Sequence, residues 1–303
     1  MLRLPPAARL AAVTAVTIVL SGCATAATDG TDPVFAGPAP TTVAPAGSAA
    51  ASPVTAPTAS AGAGPSPSKS AAAAPSRFTT LKPGSKLPSG SQCAAWVRAR
   101  PKKENKGANR TANRTTGHRV DPGAFGDGAA LAKRVDGQFT GTTEEILRWA
   151  ACKWGVDEDI VKAQAAIESW WRQGTLGDFD TDAAACPAGH GLGADGQAGK
   201  CPQSYGILQN RYPYMKSAFP GAMRSTAMSA DLAYAVWRSC FEGREGWLNT
   251  VERGREYAAG DAWGCVGRWF SGRWHIAPGE QYVGRVRDYL DRRIWQTPDF
   301  QQP

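Results

Sequence analysis

The sequence predicts a mainly α domain carried behind an unstructured N-terminal leader. Three observations lead there. From Thr142 onward, apolar residues recur at helical spacing, and the first such stretches open with capping residues. Strand signals are sparse. Near residue 90 the composition shifts, from an Ala-, Pro-, Thr- and Ser-rich tract with few large apolar side chains to a segment that carries them.

Taken in order, residues 1–23 have the form of an export signal: Arg3 and Arg9, then an apolar run from Leu10 to Leu20 that is too short for a membrane span. The run ends in Leu20-Ser21-Gly22-Cys23, which resembles a bacterial lipobox and marks Cys23 as the lipidation site. Residues 24–90 cannot bury enough apolar surface to offset chain entropy and read as a disordered tether. Its roughly 67 residues span on the order of 45 Å as a random coil. Residues 91–141 form a basic extension. Arg98, Arg100, Lys102, Lys103, Lys106, Arg110, Arg114 and Arg119 face only Glu104, and Cys93 and Trp96 are the residues that would pin this arm to a domain at 142–300.

Within that domain, Thr142 and Glu145 make a capping box for a helix from Thr143 to Trp154, stopped by Gly155. Asp157 caps a second helix running to Trp171, with Glu158 and Asp159 in its first turn, where the helix dipole favours negative charge. Gly174 to Pro202 reads as a loop, and further helices are expected over Ser229–Phe241, Trp247–Ala258 and Gln281–Trp295.

The second helix carries the chemistry. Ile160, Gln164, Ile167 and Trp171 share one face, and Val161, Ala165 and Glu168 form the adjacent row. Glu168 thus lies beside an apolar stripe in the last helical turn. Burial and the negative end of the helix dipole both favour its neutral form. A carboxylic acid held protonated near neutral pH is what a general acid for glycosidic cleavage requires.

Ile167-Glu168-Ser169, then Ser204-Tyr205-Gly206-Ile207-Leu208-Gln209, then Gly279-Glu280-Gln281-Tyr282-Val283 together resemble the motif series of lytic transglycosylases with a lysozyme-like fold. The resemblance covers roughly residues 143–290. It implies a lysozyme-like domain, Glu168 as catalytic acid and base, and Ser169, Ser204, Tyr205, Gly206, Gln209 and Tyr282 lining the substrate. It also implies cleavage of the MurNAc-GlcNAc bond of peptidoglycan by one Glu, with 1,6-anhydromuramyl ends as product. The family's third motif is degraded: Trp263-Gly264-Cys265-Val266-Gly267 stands there and lacks the usual Asn. By residue chemistry, Ser204–Gln209 is expected as a turn into a short helix, with Gly206 allowing close approach of substrate. Trp170, Trp269 and Trp274 are candidate sugar-stacking faces, and Asp178, Asp180 and Asp182 are candidate second carboxylates.

Two rivals stand beside this expectation. One is a hydrolytic muramidase on the same fold, and the other a catalytically inactive wall-binding lipoprotein. With Cys23 assigned to lipid, six cysteines are left, an even number suited to three disulfides. Many pairings are open; Cys93–Cys152, Cys186–Cys201 and Cys240–Cys265 is the set carried forward. No Cys-x-x-Cys pair and only three His argue against zinc, so neither metal nor cofactor is expected. The net charge of +8 suits an anionic wall. Export argues against nucleic acid as a partner. The chain is expected to act as a monomer on glycan strands, held at the membrane by its N-terminal lipid.

Overall fold

The computed structural model describes residues 77–101, 120–249 and 256–300. Cys23, the export signal, most of the tether and the arm from Lys102 to Arg119 lie outside them. The described chain is mainly α, with one small sheet. Its helices are α1 (Gly90–Arg98), α2 (Ala129–Ala132), α3 (Thr143–Trp154), α4 (Glu158–Ser169), α5 (Tyr212–Met215), α6 (Gly221–Arg224), α7 (Thr226–Phe241), α8 (Ala262–Ser271) and α9 (Ala277–Asp291). The strands are β1 (Leu176–Asp180), β2 (Cys201–Tyr205) and β3 (Asn210–Arg211), antiparallel in the order β1-β2-β3.

The expected caps are present. The Thr142 side chain accepts from the Glu145 amide while the Glu145 carboxylate accepts from Thr142 N–H, and Gly155 ends α3 at φ 64°. Asp157 caps α4 through the Asp159 amide at 2.9 Å. However, α4 ends at Ser169, and Trp170 and Trp171 both turn into the left-handed region, at φ 56° and 60°. Burial holds Trp171 there: its indole is fully enclosed and donates to the Lys162 carbonyl at 2.9 Å.

α7 is buried along its whole length and forms the axis of the domain. Its buried charges are tolerated because they are paired. Asp231 takes the Lys153 ammonium at 2.8 Å and the Trp154 indole at 2.7 Å, both from α3. Arg238 donates to the carbonyls of Leu81 and Lys82 and pairs with Glu242 at 2.6 Å. α4 packs on α9, and α9 on α8. The last pair approaches closely at Gly267 and Gly279, where a β-carbon on Gly267 would lie 3.2 Å from the Gly279 carbonyl oxygen.

Several expectations are corrected. The tether was expected to run to Gly90, yet from Arg77 the chain is a strap laid along the α3–α4 turn. Leu81 N–H donates to Gly155 O at 3.1 Å, Glu158 N–H to Phe78 O at 3.1 Å, and Arg77 pairs with Asp159 at 2.7 Å. The Gly174–Pro202 loop contains β1, which closes on β2 in the register Gly177↔Ser204 and Asp180↔Cys201. Ser204–Gln209 spans the end of β2 and the hairpin turn into β3; the short helix α5 begins only at Tyr212. Of the helix expected over Trp247–Ala258, residues 250–255 lie outside the described residues; Gly246–Leu248 is a 3-10 turn and residues 256–258 are not helical. The other helices start earlier than expected, α7 at Thr226 and α9 at Ala277. All three disulfides pair as carried forward: Cys93–Cys152, Cys186–Cys201 and Cys240–Cys265. They are what an oxidising, extracytoplasmic compartment produces. No helix among the described residues is long and apolar enough to cross a membrane.

Candidate active site

Glu168 leaves the last turn of α4 toward α8 and α9. The Tyr282 hydroxyl, from α9, donates to its Oε1. The Trp269 indole, from α8, is a further hydrogen-bond partner of the carboxyl. Phe270 stacks face to face on Tyr282 at 4.8 Å and is 44% exposed, so an open aromatic face adjoins the acid. The close backbone approach at Gly267 and Gly279 brings these rings together, since the aromatic pair lies about one turn further along each helix.

Electrostatics favour a proton on Glu168. Desolvation dominates and lifts its pKa from the ordinary 4.5 to about 7; the Tyr282 hydrogen bond opposes the rise, Asp178 adds to it, and Arg285 and Trp269 oppose it. Tyr282 stays a phenol, because burial and the neighbouring carboxylate push its pKa well above the ordinary value. With Oε1 taken by Tyr282, the transferable proton belongs on Oε2. The arrangement is a half-buried, desolvated acid with Oε1 held by Tyr282 and the Trp269 indole as a second donor to the carboxyl.

No protein-family model, no curated protein and no solved structure matches this chain. The chemistry of the site is therefore read from its own geometry.

The remaining sequence candidates divide into groups. Ser169 is buried, and its hydroxyl bonds the Ile207 carbonyl at 2.8 Å, tying the end of α4 to the β2–β3 turn. Ser204 is 2% exposed and donates to the Asp178 carboxylate. Tyr205 is buried, with its hydroxyl on Pro202 O at 2.6 Å. Gly206 adopts φ +83°, and the space a β-carbon would need is filled by Gln173, Ser229 and Ala222. Gly206 thus serves close packing of the turn rather than approach of a substrate. Gln209 is half-buried at φ 49° and spends its amide hydrogens on Gly206 O at 2.8 Å and Thr175 O at 3.2 Å, leaving Oε1 across Gly177.

Of the three loop aspartates, only Asp178 acts on Glu168. Asp182 caps the 3-10 turn at Ala183–Ala185, and Asp180 accepts the Asp182 amide at 3.1 Å. Trp274 is corrected as a stacking face: it is 1% exposed, with its indole on Glu256 O. Trp170 packs on Phe300 at 4.8 Å. Sequence reasoning missed Gln164 as a site residue, although its i, i+4 relation to Glu168 was visible. It also missed Phe270, Arg285 and Tyr234, for which no local signal exists.

Proposed function

We propose that this chain cleaves the MurNAc-GlcNAc bond of peptidoglycan as a lytic transglycosylase, with Glu168 as its single acid and base. The observation that carries this reading is the Glu168 carboxyl itself, desolvated, protonated up to about pH 7 and gripped on one oxygen by Tyr282. Glu168 Oε2 gives its proton to the glycosidic oxygen as the bond to the muramyl anomeric carbon breaks, and the electron pair leaves with that oxygen. The resulting positive centre is stabilised by the substrate's own acetamido group. The muramyl 6-hydroxyl then attacks the anomeric carbon, favoured by its covalent proximity, and its proton goes to Glu168, which is restored. Phe270 and Trp269 offer the aromatic surface a sugar ring requires. The lipobox at Cys23 adds a lipid anchor, which would hold the enzyme at the membrane outside the cytoplasm with glycan strands as its partner.

A specific observation favours a second reading, hydrolysis. Asp178 bears on Glu168 electrostatically and holds φ 49°, a left-handed conformation for a strand residue. Such strain is concentrated at functional sites, and a second carboxylate is what would hold a water.

Muropeptide mass spectrometry after digestion of sacculi by the full-length protein separates the readings. The expected product carries anhydro ends, about 18 mass units lighter than hydrolysed ends. Glu168→Gln should lower the rate by about 10²–10⁴-fold while Asp178→Asn leaves the product type unchanged. Reducing ends that vanish in Asp178→Asn would assign a muramidase, and no ends of either kind would leave a wall-binding protein.

A further inference from the structure

Behind Tyr282 lies a buried chain of hydrogen bonds that the reaction above does not use. Tyr234, from α7, sits 3.1 Å from Gln164 Oε1 and 3.4 Å from the Val161 carbonyl. Gln164, one turn before Glu168 on α4, hydrogen-bonds Tyr282. Tyr234, Gln164 and Tyr282 are each 3% exposed or less, so no water competes for these bonds.

Once Glu168 is ionised, the direction of every bond follows. An ionised Glu168 can only accept, so Tyr282 must donate to it. A phenol has one proton, so the Tyr282 oxygen must accept from Gln164 Nε2. The amide then presents Oε1 to Tyr234, whose hydroxyl is the remaining donor. We infer that Gln164 and Tyr234 are positioning residues that orient the Tyr282 hydroxyl toward Glu168 before the proton leaves. The inference rests on the reading of Glu168 as the acid.

The physical effect is preorganisation. When Glu168 becomes an anion, its donor already points at Oε1, and no dipole has to turn. Each bond also polarises the next, so accepting from Gln164 makes Tyr282 the stronger donor. The other groups facing Glu168 are Asp178 from β1, Arg285 from α9 and Trp269 from α8; none of them belongs to the relay.

The test is a direct titration of Glu168 in the full-length protein, by carbon NMR with δ-carbon-labelled glutamate, with Glu168→Gln assigning the signal. Tyr282→Phe should raise the midpoint by about one to two pH units, the worth of a hydrogen bond to a charged group. Gln164→Leu and Tyr234→Phe should each raise it by roughly a few tenths of a unit. In a Tyr282→Phe background the effect of Tyr234→Phe should vanish, because the path is already cut. The pH profile of glycan cleavage should move with the titration. A midpoint unmoved by Tyr234→Phe, or moved equally with and without Tyr282, overturns the relay. Tyr234→Phe removes only a hydroxyl, so it decides the matter even where Gln164→Leu does not fold. A wild-type protein that cleaves nothing refutes the enzymatic reading and leaves the titration result standing.

Discussion

Glu168 is held away from its preferred state in water, and that has a thermodynamic signature. Its native pKa of about 7 lies above the ordinary 4.5. Between those values the native state keeps a proton that the unfolded state has lost, so stability falls as pH rises from about 4.5 to 7 and is flat beyond. A gap of 2.5 units amounts to about 3 kcal/mol. Glu168→Gln cannot ionise and can still accept from Tyr282. Thermal unfolding at pH 8 should show the variant more stable by several degrees, whereas at pH 4 the two should coincide. An equal or lower melting point at pH 8 would show that the carboxyl is not desolvated as described. At this scale the sequence was legible to a point. The helical row and the dipole end identified Glu168, but its partners come from α7, α8 and α9, and nothing local connects position 168 to 234, 269 or 282 except a family resemblance in the case of Tyr282.

One scale up, the β2–β3 turn is bound to α4 by Ser169 and Ile207, and Gln209 is set across Gly177. Two glycines there make opposite predictions. Gly206→Ala meets the Ala222 backbone oxygen at 3.2 Å in a positive-φ conformation and should cost on the order of 1–3 kcal/mol. Gly177→Ala has an ordinary backbone and would overlap only the Gln209 Oε1, the movable end of a side chain. It should therefore leave the melting temperature nearly unchanged while lowering glycan cleavage as much as Gln209→Ala does. Full activity in Gly177→Ala would remove Gln209 from the site. α3 and α4 were read from sequence to within two residues because their cap signals are local, whereas α1, with its own capping box at Ser89 and Gln92, was not read as a helix. The sheet was not read either: β1 is a five-residue Gly- and Asp-containing strand, stabilised by pairing with β2 and by the Cys186–Cys201 bridge rather than by β-forming side chains.

At the scale of the molecule, the strap from Arg77 crosses the α3–α4 turn while α1 is bridged to α3, and one buried side chain pegs the strap down. Arg238 reaches the Leu81, Lys82 and Gly155 carbonyls and Glu242 at once. Arg238→Met should leave the Leu81 and Lys82 carbonyls without this donor and Glu242 without its cation, and cost about 3–5 kcal/mol. Limited trypsin digestion should then cut at Lys86 faster than in the wild type, and an unchanged rate would deny the peg its role. The sequence placed the domain boundary too late because a stretch poor in large side chains was read as unable to order. It is held by main-chain hydrogen bonds, which composition does not display. The disulfides carry one more implication, for how the molecule is made. Each bridge joins a cysteine to the next one along the described chain, in the order 93–152, 186–201, 240–265. A chain threaded N-terminus first into an oxidising compartment can seal each loop as soon as its second cysteine emerges. No bond made early has to be undone later, so maturation by this route calls on an oxidant but on no isomerase.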